Sequence, residues 1–159
     1  MLDNFGNQTW YMNQMADRLD LDDIDSQSTF LIIHLDDFGA YPEANIASIE
    51  CMENGSATSA SIMPVGLAYD SAVSWSVANP DFDMGVHFTF TSEWRTEFKW
   101  GPLTDGISLA DSNGFFRKTM AKQNLSMTTE DCADEMKAQI DRLLNDNVVI
   151  THADHHMGV

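Results

Sequence analysis

Short apolar segments alternate along the chain with longer segments of helical periodicity. The short segments are bounded by turn residues and are too short for independent helices, which predicts buried strands. These strands are expected at residues 30–35, 58–63, 84–90 and 148–151. Helical spacing of apolar residues occurs between them, over residues 42–55, 67–78 and 128–144. Strands separated by helices favour βαβ units, so the pattern predicts an α/β fold with a parallel sheet.

Some parts of the chain depart from this alternation. Residues 10–21 have roughly helical spacing and precede an acidic, serine-rich stretch, so residues 1–28 are expected to form a helix and a linker. Residues 91–122 lack clear periodicity, and because loops of this length are usually functional, we expect a substrate-binding excursion there. No helix follows the last predicted strand, so residues 29–159 are expected to form an incomplete sheet from a truncated chain.

Acidic residues far outnumber basic ones. The chain has 8 Lys and Arg against 25 Asp and Glu, which gives a formal net charge of −17. This charge opposes binding to nucleic-acid phosphates or to an anionic membrane surface, and it favours neutral or cationic partners. The first residues lack the features of a signal peptide, and no apolar run approaches the ~20 residues of a spanning helix. The expectation is therefore a soluble, cytoplasmic protein.

Ionisable residues directly follow the first and last predicted strands. Asp36 and Asp37 follow the first strand, and because adjacent side chains point in different directions, one carboxylate can bind a cation while the other faces a substrate. The last strand is followed by a cluster that comprises His152, Asp154, His155 and His156. The carboxyl ends of parallel strands are where α/β proteins build their active sites.

His87 interrupts the apolar residues of the third predicted strand. A single histidine in such a position is more often a hydrogen-bonded core residue than a ligand. If Asp37 and His156 lie on neighbouring strand ends, however, the three form a His-His-carboxylate set that leaves coordination positions open. Asp154 could then accept an imidazole N–H and fix its tautomer. His34 could support this site or simply be packed.

Aromatic residues and one cation lie at the start of the excursion. Trp94 and Trp100 offer flat apolar faces that can stack on sugar rings, although such side chains also fill cores. Arg95 could hold a polar substrate group or pair with Glu93. Trp94, Arg95 and Trp100 are therefore the candidate substrate-binding residues.

Four separated motifs occur in a characteristic order. They are HLDDFG at 34–39, NGSATSAS at 54–61, GVHFT at 85–89 and THADHHMG at 151–158. Their order and spacing resemble those of the YdjC-like carbohydrate deacetylases, the family of chitooligosaccharide deacetylase. The resemblance extends over most of the chain from residue 30 onward.

The resemblance implies a distorted (β/α) barrel like that of polysaccharide deacetylases, here incomplete, and an activity that removes acetyl groups from N-acetylated sugars. It implies that Asp37, His87 and His156 bind a divalent ion, with magnesium expected before zinc, and that Asp36 is the general base. The family usually has a small residue where this chain has His155, so His155 and His156 are alternatives for the last ligand. Family members also continue well beyond this length, so later strands and any catalytic acid on them are expected to be missing.

The predicted chemistry is metal-assisted amide hydrolysis. The cation polarises the acetyl carbonyl and binds water, and Asp36 takes a proton from that water. His152 is the candidate proton donor to the leaving nitrogen. The alternatives are a non-catalytic remnant that keeps a metal or sugar site, and a metal hydrolase with a different substrate. An open parallel sheet edge also favours association, so a homo-oligomer is one expected assembly.

Overall fold

Four parallel strands form the centre of the computed structural model, which describes residues 31–94 and 96–158. The strands are β1 (His34–Phe38), β2 (Ser59–Ile62), β3 (Asp83–Phe88) and β4 (Ile150–His155). Their spatial order is β1-β2-β3-β4, and every neighbouring pair is parallel. The predicted α/β fold with a parallel sheet is therefore confirmed.

Helices connect the strands. They are α1 (Pro42–Glu53), α2 (Tyr69–Ala78), α3 (Met120–Asn124) and α4 (Thr129–Asn145), with 3-10 turns at Thr96–Phe98 and His156–Gly158. Pro42 begins α1, where its missing N–H costs nothing. The hydroxyl of Thr128 caps α4 by accepting a hydrogen bond from the backbone N–H of Asp131. The three longer helices lie where apolar periodicity predicts them, whereas α3 was not predicted.

The two faces of the sheet differ in polarity because side chains alternate along each strand. One face joins the helices in an apolar core whose buried strand residues are Phe38, Ala60, Ile62, Met84 and Val86. The other face carries a hydrogen-bonded set of polar side chains: His34, Ser59, Ser61, His87 and Asp154. Candidate chemistry is thus concentrated on one face of the sheet.

The first and last strands begin later and extend further than predicted. β1 starts at His34 and includes both aspartates, while Ile32 and Ile33 of the apolar run are 76% and 46% exposed. β4 continues through His155 because its ladder with β3 pairs residues as far as Phe88 with His155. Backbone pairing with the neighbouring strand, rather than the end of an apolar run, therefore decides where each strand ends.

The excursion that follows β3 packs against other elements in the described part of the chain. It supplies Trp100, Leu109 and Phe116 to a second buried cluster. Glu135 on α4 is fully buried, and it accepts hydrogen bonds from the backbone N–H groups of Leu103 and Thr104 at 3.0 Å each. The excursion is thus tied to α4 by a satisfied buried carboxylate.

Two further predictions concern the first residues of the chain and membrane-spanning helices. The helix and linker predicted over residues 1–28 lie outside the described residues. Within the described part, no helix combines the length and apolarity needed to cross a membrane.

Candidate metal centre

Asp37, His87 and His156 meet at the carboxyl ends of β1, β3 and β4. Asp37 Oδ1 lies 3.2 Å from His87 Nε2 and 3.0 Å from His156 Nδ1. Each residue contributes one potential ligand atom, and these atoms lie within 4.8 Å of one another. We call these three residues the Asp–His–His cluster. Residues far apart in the chain thus converge as their positions at strand ends predict.

An irregularity in β1 accompanies the placement of Asp37. The pairing register of β1 with β2 shifts between Leu35 and Phe38, and Asp37 has a φ of 62°. A bulge of this kind changes the direction of a side chain at a strand end. The next turn is fixed by the buried Asn45, whose Oδ1 accepts a hydrogen bond of 2.6 Å from the Gly39 N–H. Local backbone geometry therefore presents the Asp37 carboxylate to the two histidines.

The second nitrogen of each histidine contacts a carboxylate. His87 Nδ1 lies 2.8 Å from Asp154 Oδ1, and His156 Nε2 lies 2.9 Å from Glu93 Oε2. Since an ionised carboxylate only accepts hydrogen bonds, each of these nitrogens carries a proton. The other nitrogen of each ring faces Asp37.

Charge within the cluster shifts its pKa values. Burial acts to raise the pKa of Asp37, but hydrogen bonds and charges from His156 and His87 outweigh it and hold this pKa well below its usual range. Burial acts to lower the pKa of His156, yet its hydrogen bonds and charge interactions with Asp37 and Glu93 raise it to about 9. The pKa of His87 is raised by Asp37 and Asp154, against the effect of burial. Without a cation, these directions favour the ionised form of Asp37 and the protonated forms of both histidines.

The chemistry of the donor atoms fits a divalent cation. Two imidazole nitrogens and one carboxylate oxygen are ligands that zinc and related ions accept, and three protein ligands leave further positions open. A metal-bound histidine usually donates its other N–H to a carboxylate or carbonyl, as both histidines do in this cluster. Of the two alternatives for the last ligand, His156 is buried beside Asp37, while His155 is exposed.

Asp36 lies next to a second polar group on the same face. His34 Nε2 is 2.9 Å from Asp154 Oδ2 and 3.6 Å from Asp36 Oδ1. The buried Ser61 hydroxyl donates to Asp154 at 2.8 Å. The Asp36 side chain is 65% exposed. Its carboxylate is therefore accessible, while Asp154 is held by neighbours on β1, β2 and β3.

His152 lies nearer the beginning of β4 than Asp154 does. Its ring occupies the space above Gly85, where an added Cβ would lie 2.4 Å from the imidazole. Nδ1 is 2.8 Å from the Thr151 hydroxyl, while Nε2 is buried and has no hydrogen-bond partner among the described residues. Burial lowers the pKa of His152, which favours the neutral ring near pH 7.

Aromatic side chains flank the Asp–His–His cluster. Trp94 is 55% exposed and packs edge-on against Tyr41, with ring centroids 5.6 Å apart. Trp100 is buried, donates its indole N–H to the Thr91 carbonyl at 2.7 Å, and lies 6.1 Å from the His156 ring. Arg95 lies outside the described residues. The exposed Trp94 and the buried Trp100 thus have different environments.

Sequence reasoning did not identify Tyr41, Ser61 or Glu93 as parts of this site. Ser61 falls within one of the four motifs, but its contacts with His87 and Asp154 come from β3 and β4. Glu93 was noted only as an alternative partner of Arg95. Its nearness to the histidine-rich β4 segment becomes visible only once the excursion is folded.

Comparisons with known proteins show which proteins this chain resembles. A profile of the family described as YdjC-like protein matches residues 30–159. Carbohydrate deacetylase 1 of Listeria innocua is 31% identical over 133 residues, which cover 81% of this chain and 51% of the relative. A carbohydrate deacetylase of Geobacillus stearothermophilus is 29% identical over 130 residues, covering 82% and 50%. The chain thus spans about half the length of these curated relatives.

A solved structure has a similar fold. It belongs to an Enterococcus faecalis V583 protein with the provisional name cellobiose-phosphate cleavage protein. The two share 26% sequence identity and a TM-score of 0.71, over 80% of this chain and 48% of the other. The match to the family profile, which includes all three residues of the Asp–His–His cluster, shows that this chain belongs to the YdjC-like protein family.

Proposed function

We propose that this chain belongs to a metal-dependent hydrolase that removes acetyl groups from N-acetylated carbohydrates. The observation that carries the proposal is the convergence of Asp37, His87 and His156 at one point of the sheet. The carbohydrate deacetylases among its relatives supply the substrate class. An N-acetylated sugar or oligosaccharide is therefore the proposed substrate.

The Asp–His–His cluster is the proposed binding site of a divalent ion. Such an ion supplies Lewis-acid activation of a carbonyl oxygen and of water. Asp154 and Glu93 hold the rings of His87 and His156 so that one nitrogen of each faces Asp37. Magnesium prefers oxygen ligands, whereas imidazole suits zinc, so the identity of the ion is tested with both.

Asp36 is the proposed general base. It lies within β1, and its exposed carboxylate is beside His34, which contacts Asp154, the partner of His87 in the cluster. A general base needs a carboxylate that can reach solvent and substrate, and Asp36 meets this condition better than Asp154, whose oxygens are already hydrogen-bonded. That His152 donates a proton to the leaving nitrogen stays a prediction. The lowered pKa of His152 favours its neutral ring.

Trp94 is the proposed sugar-stacking residue. It is the most exposed of the aromatic side chains around Tyr41, and its ring is supported edge-on by Tyr41. Trp100 forms the buried wall between this aromatic group and His156. An apolar ring face beside a polar cluster suits a carbohydrate, which presents both C–H faces and hydroxyl groups.

Acetate release from N-acetylglucosamine oligomers tests the proposal. The protein is assayed with chelator and after addition of Zn²⁺ or Mg²⁺, and metal binding is measured in parallel by calorimetry. We expect chelator-sensitive release, lost in Asp36→Asn with metal binding retained and lost in Asp37→Asn together with metal binding. Asp70→Asn, an exposed substitution on α2, is the matched control.

Two results would replace this proposal. Metal binding without acetate release from any acetylated oligomer favours a non-catalytic metal- or sugar-binding chain. Metal-dependent cleavage of a phosphorylated disaccharide instead of an acetylated one favours another hydrolase, and the provisional name of the solved neighbour makes that substrate the second to test.

A further inference from the structure

Glu93 contacts the Asp–His–His cluster from the excursion rather than from a strand. It lies five residues after the end of β3, and its Oε2 is 2.9 Å from His156 Nε2. Both side chains are mostly shielded from water, with exposures of 22% for Glu93 and 9% for His156. A charge-assisted hydrogen bond in such surroundings is stronger than one in water.

The backbone before Glu93 is rigidly held. Thr91 and Ser92 are fully buried. The Ser92 N–H donates to the Arg117 carbonyl at 3.1 Å, and the Ser92 hydroxyl accepts from the Trp100 N–H at 3.2 Å. The Thr91 carbonyl accepts the Trp100 indole N–H. The Glu93 carboxylate is therefore presented from a fixed backbone, as a positioning role requires.

The geometry distinguishes the two nitrogens of His156. Glu93 accepts a hydrogen bond from Nε2, while Nδ1 lies on the side of Asp37 and would offer its lone pair to an ion bound there once its own proton is lost. His87 has the opposite arrangement, since its Nδ1 faces Asp154 and its Nε2 faces Asp37. Each histidine thus has its own carboxylate, and the two carboxylates come from different parts of the chain.

We propose that Glu93 is a positioning residue that fixes the ring and tautomer of His156, so that the excursion is coupled to ion binding. The inference rests on the proposed function in one respect, that the Asp–His–His cluster holds a divalent ion. Trp94 follows Glu93 directly. Fixing Glu93 against His156 therefore also fixes the base of the exposed aromatic residue beside the cluster.

Calorimetric titration with Zn²⁺ alone tests the coupling. Removing the carboxylate partner of a metal-binding histidine typically weakens affinity about 10–100-fold, and this loss is expected for Glu93→Ala. Glu93→Gln keeps an oxygen that can accept the N–H, so its loss should be smaller. Glu97→Ala removes the same charge from an exposed position in the same excursion and should bind Zn²⁺ like the wild type.

Nitrogen-15 spectra of the histidine rings provide a readout that does not depend on activity. In the Zn²⁺-loaded wild type, His156 should show a protonated Nε2 and a ligated Nδ1, and Glu93→Ala should lose this fixed pattern while His87 keeps its own. If Glu93→Ala does not fold, the same spectra of the isosteric Glu93→Gln are compared with those of the wild type.

These measurements distinguish a failure of the inference about Glu93 from a failure of the proposed metal site. Equal Zn²⁺ affinity of the wild type and Asp37→Ala would refute the metal site itself. A large loss in Asp37→Ala, with unchanged affinity and unchanged His156 spectra in both Glu93 variants, would leave the metal site intact and overturn the role of Glu93.

Discussion

At the scale of single residues, the candidate site is a set of acid–imidazole pairs. Asp37 contacts two histidines, Asp154 contacts His87, and Glu93 contacts His156. Asp37, His87 and His156 could be predicted from the sequence because each lies at a strand end within a recognisable motif. Glu93 could not, because it lies in the excursion, residues 91–122, which shows no clear periodicity, and its partner is 63 residues away.

The raised pKa of His156 predicts how the stability of the metal-free protein depends on pH. This pKa rises from 6.5 to about 9, so the stabilisation is complete below pH 6.5 and is lost as the pH rises through 9. With chelator present, the free energy of unfolding should fall by about 1–3 kcal/mol between roughly pH 6 and pH 10, since the half-exposed Asp37 weakens the pair. Denaturant titrations at the two pH values measure this change.

Variants at neighbouring histidines provide the comparison. His156→Gln should remove most of this pH dependence. His155→Gln should retain it, because His155 is exposed on β4. A fall of the same size in all three proteins would show that another group is responsible.

At the scale of secondary structure, α1 supports the site through one buried amide. Asn45 accepts the Gly39 N–H, and its own NH₂ group donates to the Ala68 carbonyl and the Ser71 hydroxyl at 2.9 Å and 2.6 Å. This side chain therefore joins the turn after β1 to the beginning of α2. The turn directly follows Asp37, so its order affects the cluster.

Replacing this amide should destabilise the protein and loosen the cluster. Asn45→Ala leaves a buried N–H and a buried carbonyl without their partner, at about 1–3 kcal/mol for each group. We expect a loss of about 2–4 kcal/mol in the free energy of unfolding, together with weaker Zn²⁺ binding. The neighbouring Ile46→Ala is the control, because Ile46 is 67% exposed. Equal effects of the two substitutions would contradict this role of Asn45.

The elements themselves were predictable to different degrees. Helices α1, α2 and α4 follow the apolar periodicity, because one face of each packs on the sheet. The limits of β1 and β4 do not follow it, because polar residues such as His34 and Asp154 satisfy one another on the second face of the sheet. The pattern of apolar residues predicts which strand positions pack against the helices. It does not predict which positions form the hydrogen-bonded polar face of the sheet.

At the scale of the whole molecule, acidic charge dominates. The formal net charge of −17 implies that self-repulsion opposes the compact state. Raising NaCl from about 0.01 to 1 M shortens the screening length from about 30 to 3 Å, so the midpoint of thermal unfolding should rise. Asp37→Asn should show a similar rise, because the effect is distributed over the chain. An unchanged or lower midpoint would show that local ion pairs outweigh the repulsion.

The sheet order has a consequence for biosynthesis. Asp37 belongs to β1 and His156 directly follows β4, so the two are 119 residues apart and lie at opposite edges of the sheet in the described part of the chain. A growing polypeptide on the ribosome exposes Asp37 and Glu93 long before either can meet His156. Capture of an ion by all three residues therefore has to wait until β4 has docked on β3, so it follows the pairing of these strands and does not nucleate it.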